Sequence, residues 1–434
     1  MVEFKQALKS DIRFLELSRW MGLLCAFGIP WSNACFNIGF YCMLIFLTLS
    51  LFSKNEWHIN RWQTTFKTPL VIIGLSLFAL ISLQTLFSNS HFDLAEYDFI
   101  HYRKLLAIPL FVFLFNTTEY KKKLFISYCL GAGVLMLPTL LDGSGIANLL
   151  HIDLAPRRNA AYSTSLNGVA NLVYWRNQIV HGFDVSILFA ACSLGTLYSR
   201  QYRIPLLIVS TLCAIDLLFF VYGRMALLSL VVAIFTIAII QFSSKKYFTA
   251  ILAGLLMACS LIYFSSDTIK VRLNSITNEE SSFTKDNNIL TSGGQRLHYW
   301  HKSWQLFKQS PIIGNGSGSF RQSLIDSQDP LASFGHRHTH NEYLTQLAQY
   351  GLVGFLLFIS LITITLINAK RIDDKWLSAA LTTAVVLFSL NAVTDSSLHN
   401  DWEGWAFVVF VSIACVDKTL VAGQKIKLKS HELH

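Results

Sequence analysis

The chain has 434 residues, of which 53% are hydrophobic and only 14% charged, with a net charge of +9. Its mean hydropathy is positive, which excludes an ordinary soluble domain of this length and predicts an integral membrane protein.

Apolar stretches long enough to cross a hydrocarbon core, about 20 residues each, recur at 14–31, 33–53, 67–88, 104–117, 123–141, 178–199, 204–221, 225–242, 247–264, 345–369, 376–393 and 402–417. The expected fold class is an all-α polytopic membrane protein with about 12 transmembrane helices. Trp20, Phe27 and Trp31 interrupt the first apolar run and the next span follows at once, so the first span is expected to be permanent and not a cleaved signal. Alternate loops are basic, from Lys5, Lys9 and Arg13 through Lys121, Lys122 and Lys123 to Lys370, Arg371 and Lys375. Because Lys and Arg stay on the cytoplasmic side, both termini are expected there. These loops account for much of the positive charge, and no nucleic acid is needed to explain it. All eight cysteines fall in or beside apolar spans with no CxxC pair, where thiols pack as small hydrophobes, so neither a disulfide framework nor structural zinc is expected.

The chain divides into transmembrane helices 1–9 over residues 1–264, an outward segment over 265–344, and helices 10–12 with a tail over 345–434. A segment of that length is too long for a plain connection. Its middle, QRLHYWHKSWQLFKQSPIIG, sets Leu297, Trp300, Trp304 and Phe307 at helical spacing, which predicts an aromatic, basic amphipathic helix on the outer leaflet. Ser310-Pro311 ends it. The following GNGSGSF, residues 314–320, lacks the Lys-Ser or Lys-Thr of a phosphate loop and follows no strand. A flexible hinge is the expectation there.

Several cations break the orientation rule by lying on the outward side: Arg103 and Lys104, Arg157 and Arg158, Arg176, Arg224 and Arg296. A charge beside an apolar span is costly and usually marks a functional site, so the group reads as a cluster facing an anion. Lys104 at a helix start is read either as part of that cluster or as snorkelling to headgroups. Arg157 and Arg158 sit in a polar loop, where solvation explains them. Arg224, in VYGRMALL, has almost no polar loop around it and requires a partner at the membrane surface. Asp184, one turn from His181, belongs either to a ligand cavity or to a helix-packing pair.

GHRHTHNEYLTQLAQYGLVGF, residues 335–355, places His336, His338 and His340 at alternate positions. Thr339 and Glu342 fit a capping box, which puts His340 in the first helical turn, where the helix dipole favours a neutral ring able to accept a proton. In an extended segment alternate side chains share a face, so a metal is a second reading, although no Asp or Cys supplies an obvious fourth ligand. A solvated trio is the third.

Residues 294–355, with RLHYWHKSWQLFKQSPIIGNGSGSF followed by HTHNEYLTQLAQYGLVGF, resemble the signature of the O-antigen ligase and polymerase superfamily: an Arg-x-x-x-Trp helix, Pro-x-x-Gly-x-Gly, His-Asn-x-x-Leu and a Gly-x-x-Gly turn. The resemblance implies a glycosyltransferase of GT-C type in the bacterial inner membrane, working on the periplasmic side without metal or other cofactor. Its donor would be a glycan on undecaprenyl pyrophosphate and its acceptor, in the ligase branch, a hydroxyl of the lipid A-core oligosaccharide. By position, His340 matches the family's essential histidine, Arg296 the arginine of its periplasmic helix and Arg224 the arginine between two spans. Arg103 and Lys104 resemble a basic pair at an earlier span, and Arg176 and Gln178 join the same pyrophosphate-binding set. The chemistry of the residues agrees: guanidinium groups stabilise a leaving pyrophosphate without a metal, and a neutral His340 accepts the proton of the attacking hydroxyl, which inverts the anomeric centre. A polymerase or a protein O-oligosaccharyltransferase shares the motif and differs in acceptor. A lipid-linked oligosaccharide flippase also places cations near the membrane, but no internal repeat is visible.

Overall fold

The computed structural model describes residues 2–51, 56–88, 90–150, 176–221, 223–242, 289–335 and 337–415. Among the described residues every regular element is helical. The N-terminal helices are α1 (Val2–Gly28), α2 (Asn33–Leu51), α3 (Glu56–Phe66), α4 (Pro69–Leu86) and α5 (Phe92–Tyr102). A 3-10 turn, Arg103–Ala107, leads into α6 (Ile108–Leu114), followed by α7 (Thr118–Gly143) and the short α8 (Ile146–Leu149). Next come α9 (Gln178–Tyr198), α10 (Arg203–Ile215) with a π turn at Asp216–Phe220, and α11 (Arg224–Gln241). The final part holds α12 (Ser292–Gln309), α13 (Ser319–Asp326), a 3-10 turn at Pro330–Phe334, α14 (Glu342–Ala369), α15 (Lys375–Thr394) and α16 (Asp401–Ala414).

Local chemistry sets several of these starts. Thr117 accepts a hydrogen bond from the Tyr120 amide, Asn177 from those of Ile179 and Val180, and Asp374 from that of Leu377, while Pro69 opens α4. The protein is an all-α polytopic membrane protein. Eight described helices are long and apolar enough to cross a membrane: α2, α4, α7, α9, α10 with its π turn, α11, α14 and α15. In α2 the buried stripe is Phe36, Gly39, Met43 and Leu47, and the stripe turned outward, Ile38, Tyr41, Ile45 and Leu49, is equally apolar. A helix apolar on both faces needs lipid as its solvent.

The expected spans differ from the described helices in three places. The first helix begins well before residue 14 and takes in a polar start. The expected span 104–117 is a 3-10 turn plus a seven-residue α6, which reaches only about 10 Å. The last, α16, has 14 residues, about 21 Å, and the span expected at 247–264 lies outside the described residues. The bundle centres on α9, which packs against α7, α10, α11 and α15. Seven described cysteines are free thiols, and Cys259 lies outside the described residues.

A second, smaller core sits over one end of the bundle, made by Tyr299, Leu306, Phe320, Leu324, Leu331 and Ala348. This core takes in one face of α12. The helix buries Tyr299, Ser303 and Leu306, whereas Leu297 and Trp304 of the anticipated apolar face are exposed. Below it, α14 is broken at Gly351, whose φ of 65° and ψ of −164° interrupt the helical ladder. The segment 311–316 fills the break: the Leu352 amide donates to Pro311 O at 2.8 Å, Val353 to Ile312 O at 3.2 Å and Gly316 to Gln349 O at 2.9 Å. Backbone groups freed at membrane depth must find protein partners, and here they do. A Cβ on Gly314 would lie 2.3 Å from Gln349 O, and one on Gly351 2.4 Å from Ile312 O, so neither position accepts a side chain. The glycine-rich stretch is thus a packed plug and not the expected hinge. Its amides at Gly314, Asn315, Gly316 and Gly318 all donate within the protein, which leaves no phosphate cradle.

Candidate active site

The plugged end of the bundle carries the segment with His340. Contrary to the capping-box expectation, Asn341 is the N-cap of α14, accepting from the Leu344 amide at 3.0 Å. Thr339 Oγ1 instead donates to Asn341 O at 2.6 Å and accepts from the Asn341 amide at 3.1 Å. His340 therefore precedes the helix, with a φ of 52°. A non-glycine residue in that region is strained and is held there by its surroundings. The helix-dipole argument for a neutral ring does not apply outside the helix.

A partner takes its place. His340 Nδ1 lies 3.3 Å from Asp395 Oδ1, at the C-terminal end of α15. The Asp395 side chain is 5% exposed and that of His340 19%. Burial works to raise the Asp395 carboxyl, but the hydrogen bond from His340 and the charges of His338, His340 and Arg296 outweigh it and hold the group well below the usual carboxylate range. An ionised carboxylate only accepts, so His340 Nδ1 donates to Asp395. Tyr299 stacks on the His340 ring at 6.0 Å, and the His338 ring meets it edge-on at 4.5 Å.

The turn bearing Asp395 is held by a buried polar network. Glu342 is the keystone: its Oε2 accepts from the amides of Leu398 and His399, both at 3.1 Å, and its Oε1 from Tyr102 Oη and Gln346 Nε2, both at 2.8 Å. Lys104 is 1% exposed and donates to the carbonyls of His399 and Asn400, so it does not snorkel. Asp98 joins the turn to the plug, with Oδ1 3.0 Å from His399 Nε2 and Oδ2 accepting from the Gly318 amide at 2.7 Å. Burial pushes the Asp98 carboxyl up to about 6, against the opposing hydrogen bond from Gly318. Burial, with the charges of His101 and Lys104, holds His399 well below its ordinary value.

The remaining cations fall into two groups. Arg224 opens α11 and its Nη2 donates to Ser292 Oγ at 2.7 Å. Ser292 lies one turn, about 6 Å, before Arg296 on α12, and Gln178 lies against Gly223 next to Arg224. Arg296 is close enough to bias Asp395, so these residues form one edge that ends at His340. Arg103 is exposed at the end of α5. Arg176 is buried elsewhere: it donates to Asn33 Oδ1 at 2.9 Å and Ile29 O at 3.2 Å and covers the Trp402 ring at 3.7 Å. Arg157, Arg158 and His336 lie outside the described residues. Asp184 and His181 do not pair: Asp184 meets Tyr128 Oη, and His181 Nε2 lies 2.8 Å from Asp216 Oδ2, all fully buried within the spans. One ligand atom from each of His338, His340 and Asp395 lies within 4.8 Å of the other two, so Asp395 supplies the carboxylate that a metal reading lacked.

Residues 209–359 match a family model described as O-antigen ligase. Over 370 residues the chain is 24% identical to the O-antigen ligase of Escherichia coli K12, with 80% of this chain and 81% of that protein covered. Over residues 209–359 the chain is thus similar to the O-antigen ligase family. It is also 29% identical to an uncharacterised protein of Haemophilus influenzae over 140 residues, 31% of this chain, and spans about a third (35%) of that relative's length. Within the O-antigen ligase match fall Arg224, the described α12, the plug, His340 and the break at Gly351. Asp395 and His399 lie beyond it, at the turn that His340 and Glu342 touch. The early chain supplies Lys104, and also Asp98 and Tyr102, which no local motif marks.

Proposed function

We propose that the protein is an O-antigen ligase that moves a glycan from undecaprenyl pyrophosphate to a hydroxyl of the lipid A-core oligosaccharide, at the periplasmic face of the bacterial inner membrane. The observation that carries this reading is the His340–Asp395 pair beside Arg296 and Arg224 at one end of a membrane bundle. The acceptor hydroxyl gives its proton to His340 Nε2 as its oxygen bonds the anomeric carbon. The bond from that carbon to the phosphate oxygen breaks, and the electron pair leaves with the pyrophosphate. Asp395 fixes the tautomer and stabilises the imidazolium as it forms. Arg224 and Arg296, with Arg103 at the rim and Gln178 beside Arg224, meet the charge that grows on the leaving group. Direct displacement inverts the anomeric centre and draws its counter-charge from guanidinium groups, with no metal required. Lys104 and Arg176 act from behind, Lys104 by holding the 399–400 carbonyls and Arg176 by tying the start of α9 to the α1–α2 turn.

The test is glycan transfer by purified protein from a polyprenyl-pyrophosphate-linked donor to lipid A-core in excess EDTA. Wild type is expected to transfer, His340→Ala to lose transfer, and Arg224→Ala to lose about 10-fold or more. Donor chains that lengthen on each other with no transfer to lipid A-core would make the protein a polymerase. Loss of wild-type transfer in EDTA would overturn the metal-free mechanism.

A further inference from the structure

We infer that His338, His340 and Asp395 form an inhibitory site for a transition-metal ion of the zinc class, which switches the enzyme off by taking the lone pair of His340. The inference rests on the reading of His340 as the base. Three observations support it. The donor set, two imidazoles and one carboxylate, is the kind that binds zinc with a coordination position left open. The spacing is close to what the ion needs: bonds of about 2.0–2.1 Å put the ligand atoms of a tetrahedral site about 3.3 Å apart, and His340 Nδ1 and Asp395 Oδ1 already stand 3.3 Å apart. The His338 donor lies within 4.8 Å of both, so a ring rotation of at most about 1.5 Å completes the set.

The surroundings make the site strong enough to inhibit and too weak to hold a resident ion. Asp395 offers its carboxylate from a buried position against His340, a donor that favours a cation. Arg296 bears on the same carboxylate and opposes one, as do the other cations gathered for the pyrophosphate. Zinc and substrate thus compete through charge as well as through His340. A metal seated on either ring nitrogen of His340 blocks the proton transfer: on Nε2 it removes the lone pair, and on Nδ1 it displaces the hydrogen bond to Asp395 that sets the tautomer.

The experiment uses the full chain without a histidine tag, in detergent, with cobalt and zinc chlorides as probes. Cobalt should bind one equivalent with the visible absorption of a low-coordinate site, zinc should displace it, and His338→Gln and Asp395→Asn should each weaken binding at least tenfold. Two variants are used so that loss of folding in one does not decide the matter, and each is checked for its helical spectrum. Micromolar zinc should inhibit transfer by wild type, EDTA should restore it, and His338→Gln should need at least tenfold more zinc. If wild type holds no stoichiometric cobalt, or holds it as well as His338→Gln does, the site does not exist. If the ion binds through these residues yet transfer continues, the site stands and the assignment of His340 as base fails. If EDTA abolishes transfer by the protein as purified, the ion is part of the catalyst and the inhibitory role is overturned.

Discussion

Two histidine–aspartate pairs in this protein each set a ring nitrogen against a carboxylate, Nδ1 in one and Nε2 in the other, and differ in surroundings. His340 and Asp395 are 3.3 Å apart at the end of the bundle, with His340 partly exposed, while His181 and Asp216 are 2.8 Å apart with both side chains fully buried between α9 and α10. Both carboxylates fix a tautomer. His340 is partly exposed, with Arg296 near its aspartate and a strained backbone under it, whereas His181 is fully buried. In the other pair, His181 Nδ1 is buried and has no hydrogen-bond partner among the described residues. The proposed reading makes the partly exposed pair the base and leaves the fully buried one to helix packing.

The sharpest way to break that contrast is to remove each imidazole in turn. His340→Gln is expected to reduce turnover by about 10²- to 10⁴-fold with the folded yield unchanged. His181→Asn is expected to lower stability by about 3 kcal/mol or more, since Asp216 is left buried without its partner, while turnover per folded molecule stays within about threefold of wild type. Thermal unfolding in detergent and the transfer assay measure the two separately. Turnover lost in a stable His181→Asn protein would end the distinction.

Next in size is Asp395→Asn, which keeps the shape and loses the charge. It should reduce kcat by about 10²-fold or more with little change in KM. A variant that changes KM alone would make Asp395 a binding residue.

A third pair, Asp98 and His399, sits between the extremes: fully buried, yet directly behind the reacting turn. The Asp98 carboxyl is pushed up to about 6 in the folded protein. A raised carboxyl stabilises the fold when protonated, so its contribution is full below the unfolded value of about 4 and is lost as pH rises through about 6. His399, held low, works in the opposite direction, losing stability as pH falls below about 6.5. Relative to wild type, Asp98→Asn should therefore become progressively less stable as pH falls from about 6 to 4, by at most about 3 kcal/mol. Parallel melting temperatures across that window would show that Asp98 does not titrate as described.

The smallest effect belongs to the exposed rim. Arg103→Ala should cost transfer only about two- to fivefold, the scale of a solvent-screened charge, against a loss of about 10-fold or more for Arg224→Ala. Equal losses would place Arg103 at the pyrophosphate itself.

Much of this was legible in the residues. Composition and span length identify a membrane bundle, and Arg224, Arg296 and His340 stand out because charges beside apolar spans demand a reason. What could not be read was pairing across the chain. Asp395 is 55 positions from His340 and looks like the polar end of a span. The Thr339 and Glu342 spacing fits a capping box, but Asn341 wins the cap because the Glu342 carboxylate is drawn to the Leu398 and His399 amides. Lys104 and Arg176 look as suited to an anion as Arg224 until their carbonyl partners are known. The glycines at 314, 316 and 318 suggest a mobile loop until the break at Gly351 gives them a backbone to fill.

That plug also imposes an order of assembly. Residues 311–318 rest on α4 through Gln84, Thr85 and Ser88, made early, and on the broken α14, made later. The ribosome delivers the plug before the helix that completes its hydrogen bonds, and delivers Asp395 later still. A chain that stalls before α15 is inserted has His340 without its aspartate. The His340–Asp395 pair is thus completed only by the turn that follows α15, late in the chain.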